Sequence, residues 1–246
     1  TITPTGFTWL PSAASNYYIY TAIRRGPMKE PDAGTDVFAV DKANTGTMPP
    51  TYHSNFPVDL QIEYNSGESA AYRTKDTYSR LGGHYLEMNT TDAALTSASS
   101  YVSRFAYMNG ATDGSSTVAT KFSYMWRRYP KVFDVVIYKG NATAPMDVKH
   151  NLGVAPELLI FKKLSDATGT SAAETWHVLN THVADDYNNT GRLFLDTNAA
   201  YSSTGWGGTL ASATAITANT SYFMNQLHCT YAAFLFATLE GISKVG

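Results

Sequence analysis

The chain has one cysteine, Cys229, in 246 residues. An internal disulfide framework is therefore excluded, and in its apolar strand context Cys229 reads as a small buried hydrophobe. Charge is scarce as well. Asp, Glu, Lys and Arg make up 15% of the chain, against about 25% in an average globular domain. The net charge is −2, so there is neither a basic footprint for nucleic acid nor a cationic face for an anionic membrane. No run approaches the ~20 apolar residues of a membrane-crossing helix, so no membrane insertion is expected. No N-terminal stretch has the layout of a signal peptide. Beginning at Thr1 and not at Met, the chain is expected to be trimmed or to be a portion of something longer. No segment sustains a helical period with caps; residues 94–100 are expected to form one turn at most.

Motifs of catalysis are missing too. The sequence contains no G-x-x-x-x-G-K-[ST], no H-E-x-x-H, no G-x-S-x-G and no cysteine pair at metal-ligand spacing. Two constellations carry titratable groups. His177 and His182 lie near Asp185 and Asp186, but a spacing of five puts the two imidazoles on opposite faces of a strand. They read as a strand histidine beside Trp176 and a polar loop after it. Asp32, Asp36 and Asp41 sit in a Gly/Pro-rich loop without the ordering of a calcium-binding EF-hand, and read as turn formers. No catalytic residue, metal or cofactor is expected. A carboxylate pair for glycoside hydrolysis is diagnosed by its separation in space, which the sequence does not name.

What the chain does have is β chemistry. Hydrophobic residues make up 43%, including 17 Tyr and 11 Phe, and the polarity comes from Thr, Ser, Asn and Gly. That mixture suits strands and tight turns. Strands are expected at residues 6–10, 17–23, 36–40, 57–64, 84–89, 101–108, 121–127, 133–138 and 157–163. Further strands are expected around Trp176, Leu193, residues 215–217 and Phe234. Residues 26–56 read as an extended connection and residues 65–84 as a polar loop. The run P-V-D-L-Q-I-E-Y alternates apolar and polar, the period-two signature of a half-buried strand. The stretch 133–163 reads as strand, turn, strand. In it His150-Asn151-Leu152-Gly153-Val154-Ala155-Pro156 makes the turn into the second strand. There His150 is expected to fix the turn by a hydrogen bond, and Gly153 to take a backbone conformation that a side chain forbids.

The two halves read as diverged copies. Leu86-Glu87-Met88-Asn89-Thr90-Thr91-Asp92-Ala93-Ala94 lines up with Leu193-Phe194-Leu195-Asp196-Thr197-Asn198-Ala199-Ala200, with one residue inserted. A similar interval leads to Tyr124-Met125-Trp126 in one half and Tyr231-Ala232-Ala233 in the other. Arg24-Arg25-Gly26-Pro27 and Arg127-Arg128-Tyr129-Pro130 echo each other. The expected fold is all-β, built from tandem antiparallel β-sandwich modules of jelly-roll or lectin-like type. Residues 1–130 form the N-terminal region, with 1–30 as the end of a preceding module, and residues 131–246 form the C-terminal module.

The H-N-L-G-V-A-P-E-L-L-I pattern is followed by Trp176-His177-Val178-Leu179, R-L-F-L-D-T at 192–197 and Y-A-A-F-L-F-A at 231–237. Together they resemble a repeated β-sandwich domain of bacteriophage tail fibres and related virion structural proteins. The resemblance implies a virion component on the particle surface or tail, a homo-oligomer with other virion proteins as partners. Its implied role is tail-fibre or appendage assembly, with recognition of a host-surface glycan or protein. The alternatives are a capsid-decorating or connecting protein without a ligand, and an appendage-borne polysaccharide-degrading enzyme; a non-enzymatic role is expected. Aromatic residues in loops are the candidate ligand-binding residues, because aromatic faces stack on sugars and anchor interfaces. They are Trp206, in a Gly/Ser-rich loop where it either stands exposed or caps a sandwich end, and Tyr187 with Asn188.

Overall fold

A computed structural model describes residues 30–44, 46, 49–68, 75–80, 85–94, 104–113, 119–170, 173–181, 191–203, 211–219 and 223–246. For residues 2–3 and 6–7 it gives the backbone. Strands β1 (Ile2–Thr3) and β2 (Gly6–Phe7) form a short antiparallel pair. The described strands that follow make one seven-strand pattern twice. The first set is β3 (Phe38–Lys42), β4 (Tyr52–His53), β5 (Leu60–Asn65), β6 (Lys75–Ser79), β7 (Tyr85–Glu87), β8 (Gly110–Ala111) and β9 (Lys121–Trp126). The second is β10 (Phe133–Lys139), β11 (Met146–Lys149), β12 (Leu158–Ser165), β13 (His177–Asn180), β14 (Leu193–Phe194), β15 (Ala215–Ala218) and β16 (Thr230–Phe236).

The five-stranded sheets run β3-β9-β5-β6-β7 and β10-β16-β12-β13-β14, with β4-β8 and β11-β15 as the matching two-stranded sheets. All pairings are antiparallel. The protein is thus an all-β fold of tandem antiparallel sandwich modules.

Register shows which residues correspond. The row Phe38, Trp126, Leu60, Ser79 in the first repeat matches Phe133, Phe236, Leu158, Asn180 in the second. The next same-face row is Val40, Tyr124, Ile62, Thr77, Leu86. It matches Val135, Phe234, Ile160, Val178, Leu193. The correspondence of Leu86 with Leu193 expected from sequence therefore holds. Tyr124 matches Phe234, not Tyr231, because the span from Leu193 to Phe234 is three residues longer than that from Leu86 to Tyr124.

Backbone hydrogen bonds repeat with the strands. Asp59 donates to the Trp126 carbonyl at 2.8 Å, and Glu157 to that of Phe236 at 2.8 Å. The acids at these two positions also accept from the turn after the last strand: Arg128 N–H to Asp59 Oδ2 at 2.8 Å, Thr238 N–H to Glu157 Oε1 at 2.9 Å. That turn is itself duplicated. Tyr129 bridges Phe133 and Leu239 bridges Ser243, with Lys131 and Gly241 in the left-handed region at φ 66° and 78°.

Three cores hold these layers. In the second repeat Val136, Leu159, Phe161, Leu179, Ala233 and Leu235 of the five-stranded sheet pack on Val148, Ile216 and Ala218 of β11-β15. The first repeat has a smaller counterpart around Tyr52, Phe56, Tyr78, Phe105 and Met125. The third core joins the repeats: Val37, Leu60, Leu86 and Ala94 meet Phe133, Val135, Trp176 and Phe234. A chain of rings crosses the junction, Phe38 to Trp126 at 4.8 Å, Trp126 to Phe236 at 6.3 Å and Phe236 to Phe133 at 4.9 Å. The second five-stranded sheet is therefore buried on both faces. That is why T-Y-A-A-F-L-F in β16 is apolar almost throughout and does not alternate.

Several elements differ from the sequence expectation. The stretch 133–163 is not a hairpin: β10 and β12 both pair with β16, which lies between them. The polar segment joining them contains β11, whose alternating M-D-V-K pairs with β15. Within the supposed loop 65–84, β6 pairs with β5 and β7 on either side. Strand 101–108 is not formed in its described part. Arg104 and Phe105 lie in a helical turn and a bend follows, which lets both consecutive side chains point inward, an arrangement a strand forbids. The strand expected at 17–23 lies outside the described residues.

Candidate functional site

The outer face of the first five-stranded sheet is the strongest candidate. Its second row, built from β3, β9, β5, β6 and β7, presents Val40, Tyr124 and Ile62. Val40 is 51% exposed and Tyr124 38% exposed. The matching residues of the second repeat, Val135 and Phe234, are buried at 0% and 1% in the core that joins the repeats. At these two positions, on β3 and β9, the face is capped in one repeat and open in the other, while Leu60, Thr77 and Leu86 farther along the same face are buried. The flanking side chains Phe122 and Tyr64 on this face are half-buried. An apolar sheet face open to water is the kind of surface that marks an interaction site.

Beneath that sheet lies a buried ionic cluster. In β5 the period-two alternation is present, but its polar side points inward: Gln61 and Glu63 are buried. Glu63 Oε2 accepts from Arg104 and Glu63 Oε1 from the Tyr52 hydroxyl at 2.8 Å. Lys121 Nζ donates to Asp113 Oδ2 at 2.7 Å and lies 3.6 Å from Glu63. Arg104 also stacks over the Tyr78 ring, 3.6 Å from its centroid. Burial alone would lower the pKa of Arg104, but Glu63, Tyr78 and Asp113 together raise it. Lys121 is raised against its own burial by its bond to Asp113. Two acids and two bases balance, so the cluster is a closed structural network. Glu63 and Asp76 are register partners and border a polar cleft of about 70 Å³. Small-molecule pockets begin at roughly 300 Å³, so this cleft does not admit a sugar ring.

The residues singled out from sequence are placed as follows. Trp206, Tyr187 and Asn188 lie outside the described residues, as do His182, Asp185, Asp186, Arg24 and Arg25. His177 is buried, with its ring 4.4 Å from that of Phe223 and Nε2 3.9 Å from Glu174, a strand histidine packed among neighbours. Trp176 is fully buried, and its Nε1–H donates to the Glu87 carbonyl at 2.9 Å across the repeat junction. Cys229 is a free, buried thiol.

His150 does fix the turn. Its Nδ1 accepts from the Leu152 N–H at 3.2 Å, its Nε2 lies 3.2 Å from the Ser212 carbonyl, and Gly153 has φ 77°. Burial lowers the His150 pKa. Asp36 Oδ2 accepts from the N–H groups of Asp32 and Ala33, the turn-forming role expected of that loop. Arg128 lies 3.6 Å from Asp59 and 3.7 Å from Asp134. Sequence reading missed the open face and the participation of Arg104 and Asp113. The one signal was that both repeats could be aligned, but that alignment set Tyr124 against Tyr231, whereas the register sets it against Phe234.

Fold and site define a tandem β-sandwich protein whose two repeats share a core and leave one sheet face open. The chain belongs to the family described as domain of unknown function DUF7483, which matches residues 64–246. That span runs from β5 in the first repeat through the whole second repeat. No curated protein and no solved structure matches the chain.

Proposed function

We propose that the chain is a structural component of a bacteriophage virion, of the tail-fibre or appendage type, that works by presenting and joining rigid β-sandwich modules. The observation that carries this reading is the pair of repeats locked through one shared core while the β3 and β9 end of the first repeat's outer face, at Val40 and Tyr124, stays open. Such a unit is stiff within itself and has a surface suited to a neighbour. The H-N-L-G-V-A-P turn and the strands after it supply the resemblance to virion proteins. Within the same reading, the loops bearing Tyr187, Asn188 and Trp206 are assigned the contact with a host-surface glycan or protein. A decorating or connecting protein without a ligand is the second reading, favoured by the aliphatic character of Val40 and Ile62, which suits a protein neighbour better than a sugar.

The test is immunogold labelling of purified particles with antibodies to the folded protein, alongside adsorption assays on particles carrying Trp206→Ala. Label at a distal appendage with weakened adsorption supports host recognition. Label along the particle wall with unchanged adsorption supports the connector. Particles that carry none of the protein refute both.

A further inference from the structure

Inside the chain, the outer face of the second repeat is closed by a ridge from the first. Leu86, Met88 and Ala94 pack in the core that contains Val135, Ile160 and Phe234. Two hydrogen bonds pin that ridge, Trp176 Nε1–H to the Glu87 carbonyl and Glu174 N–H to the Thr91 carbonyl, both at 2.9 Å. Each repeat therefore owns a socket, the second-row positions of the first three strands in its sheet (Val40, Tyr124 and Ile62, or Val135, Phe234 and Ile160), and a ridge, its fifth strand with the residues that follow.

One ridge and one socket are used within the chain, and one of each is left over. The free socket carries Val40 and Tyr124. The free ridge begins at β14, where Leu193 matches Leu86 and Leu195 stands at the place of Met88. Leu195 and Tyr201 are each 42% exposed. Among the described residues six large apolar side chains are exposed. Three of them, Val40, Tyr124 and Leu195, fall on these two surfaces. Scattered surface hydrophobics are ordinary; concentration on the two unused halves of a contact that the same chain already makes is not.

We propose that the socket of the first repeat receives the ridge of the second repeat from another copy of this chain. The proposal rests on reading the chain as an assembly module, and adds which surface meets which. Phe133 and Phe236 are already packed toward Trp126 within the chain, so the contact between copies is confined to ridge and socket and is weaker than the internal one. Two such contacts about a twofold axis close a dimer, and a contact that does not close propagates into a ring or filament.

The test uses the full chain in size-exclusion chromatography with light scattering across a concentration series, with Val40→Asp and Leu195→Asp as variants. Both positions are exposed, and unchanged thermal unfolding confirms that the variants fold; Tyr124→Glu replaces Val40→Asp if it does not. The wild type is expected to associate, and each variant to raise the dissociation constant at least about tenfold, the consequence of placing a carboxylate in an apolar contact. An equimolar mixture of the two variants is expected to recover part of the association, because one copy keeps an intact ridge and the other an intact socket.

A wild type that stays monomeric at the highest concentration overturns the proposal. So does association that Leu195→Asp leaves unchanged, which would mean socket-to-socket pairing, and so does a mixture no better than its components. If Val40→Asp instead makes residues 1–29 newly sensitive to protease in a monomeric protein, the occupant is the chain's own N-terminal segment and the proposal is wrong. None of these results depends on whether virions contain the protein.

Discussion

Removing Arg104 is the sharpest test of the buried cluster in the first repeat. The guanidinium is buried, donates to Glu63 Oε2 and to the Thr112 carbonyl, and lies 3.6 Å from Asp113. With Lys121 it balances Glu63 and Asp113. Arg104→Leu leaves two carboxylates against one ammonium and strips the cation from the Tyr78 face. Breaking a buried pair by removing one partner costs about 3–5 kcal/mol, because the remaining charge is stranded away from water. Glu63→Leu strands the opposite charge and is expected to cost a similar amount.

The double variant behaves differently. It removes both charges and leaves the Asp113–Lys121 pair neutral, and the second repeat already places Phe161 at the position of Glu63. Its main penalty is the Tyr52 hydroxyl, fully buried and now without its acceptor, which costs about 1–3 kcal/mol. The double variant should therefore be more stable than either single one. Urea unfolding followed by tryptophan fluorescence and circular dichroism measures the cycle. Exposed ion pairs are screened by salt and buried ones much less, so the coupling should persist in high salt. A cost below about 1 kcal/mol for Arg104→Leu, or single-variant costs that simply add in the double, would refute the idea that burial sets the magnitude.

Three further outcomes follow from the structure. Gln61 is fully buried, and neither its Oε1 nor its Nε2 has a hydrogen-bond partner among the described residues; the second repeat has Leu159 there, so Gln61→Leu should raise stability by about 1–2 kcal/mol in urea melts. Gly153 has φ 77° with nothing near its missing side chain, so Gly153→Ala should cost about 1–2 kcal/mol from backbone strain alone, and an unchanged melting temperature would contradict that. Burial lowers the pKa of Lys162 from 10.5 to about 8, in spite of Asp196, Glu174 and Asp92 nearby. The folded chain therefore sheds this proton before the unfolded one, so stability should rise with pH from about 8 until tyrosine ionisation begins at about 10. Above that, Tyr52, Tyr78 and Tyr85, raised by burial, act in the opposite direction. Lys162→Met should abolish the rise, as urea midpoints on either side of pH 8 would show.

Strands with an apolar or alternating pattern and turn residues at their ends were readable one by one: β5, β9, β10, β12 and β16 all lie where composition and period put them. Pairing was not readable, because β10 and β12, separated in sequence only by β11, take the distant β16 between them, and nothing local encodes that insertion. Two-residue strands such as β4 and β8 are too short to carry a period. Alternation in β5 was visible but not its sense. Glu63 points inward because Arg104 and Lys121, far off in sequence, meet it there, and Gln61 shares its face. The Gly153 turn was legible because its cause is local.

The two repeats keep the same frame and differ in what fills it. Asp59 and Glu157 make the same pair of bonds to the last strand and the turn after it, and Leu60 and Leu158 open the same sheet row. Inside, the second repeat closes over Leu159 and Phe161, whereas the first closes over Gln61 and over Glu63 with its counter-charges Arg104 and Lys121. Backbone pairing and the shared end row are enough to hold the topology, so the interior of one copy was free to exchange apolar packing for an ionic network. The outer faces diverged under a different constraint. Val135 and Phe234 lie dry beneath the ridge from Leu86 to Ala94, while Val40 and Tyr124 have no such cover among the described residues. A sheet face that only had to meet water would favour polar side chains at these positions on the edge strand β3 and its neighbour β9. Two adjacent exposed side chains of this kind, register partners on β3 and β9, are what the proposed contact between copies would bury.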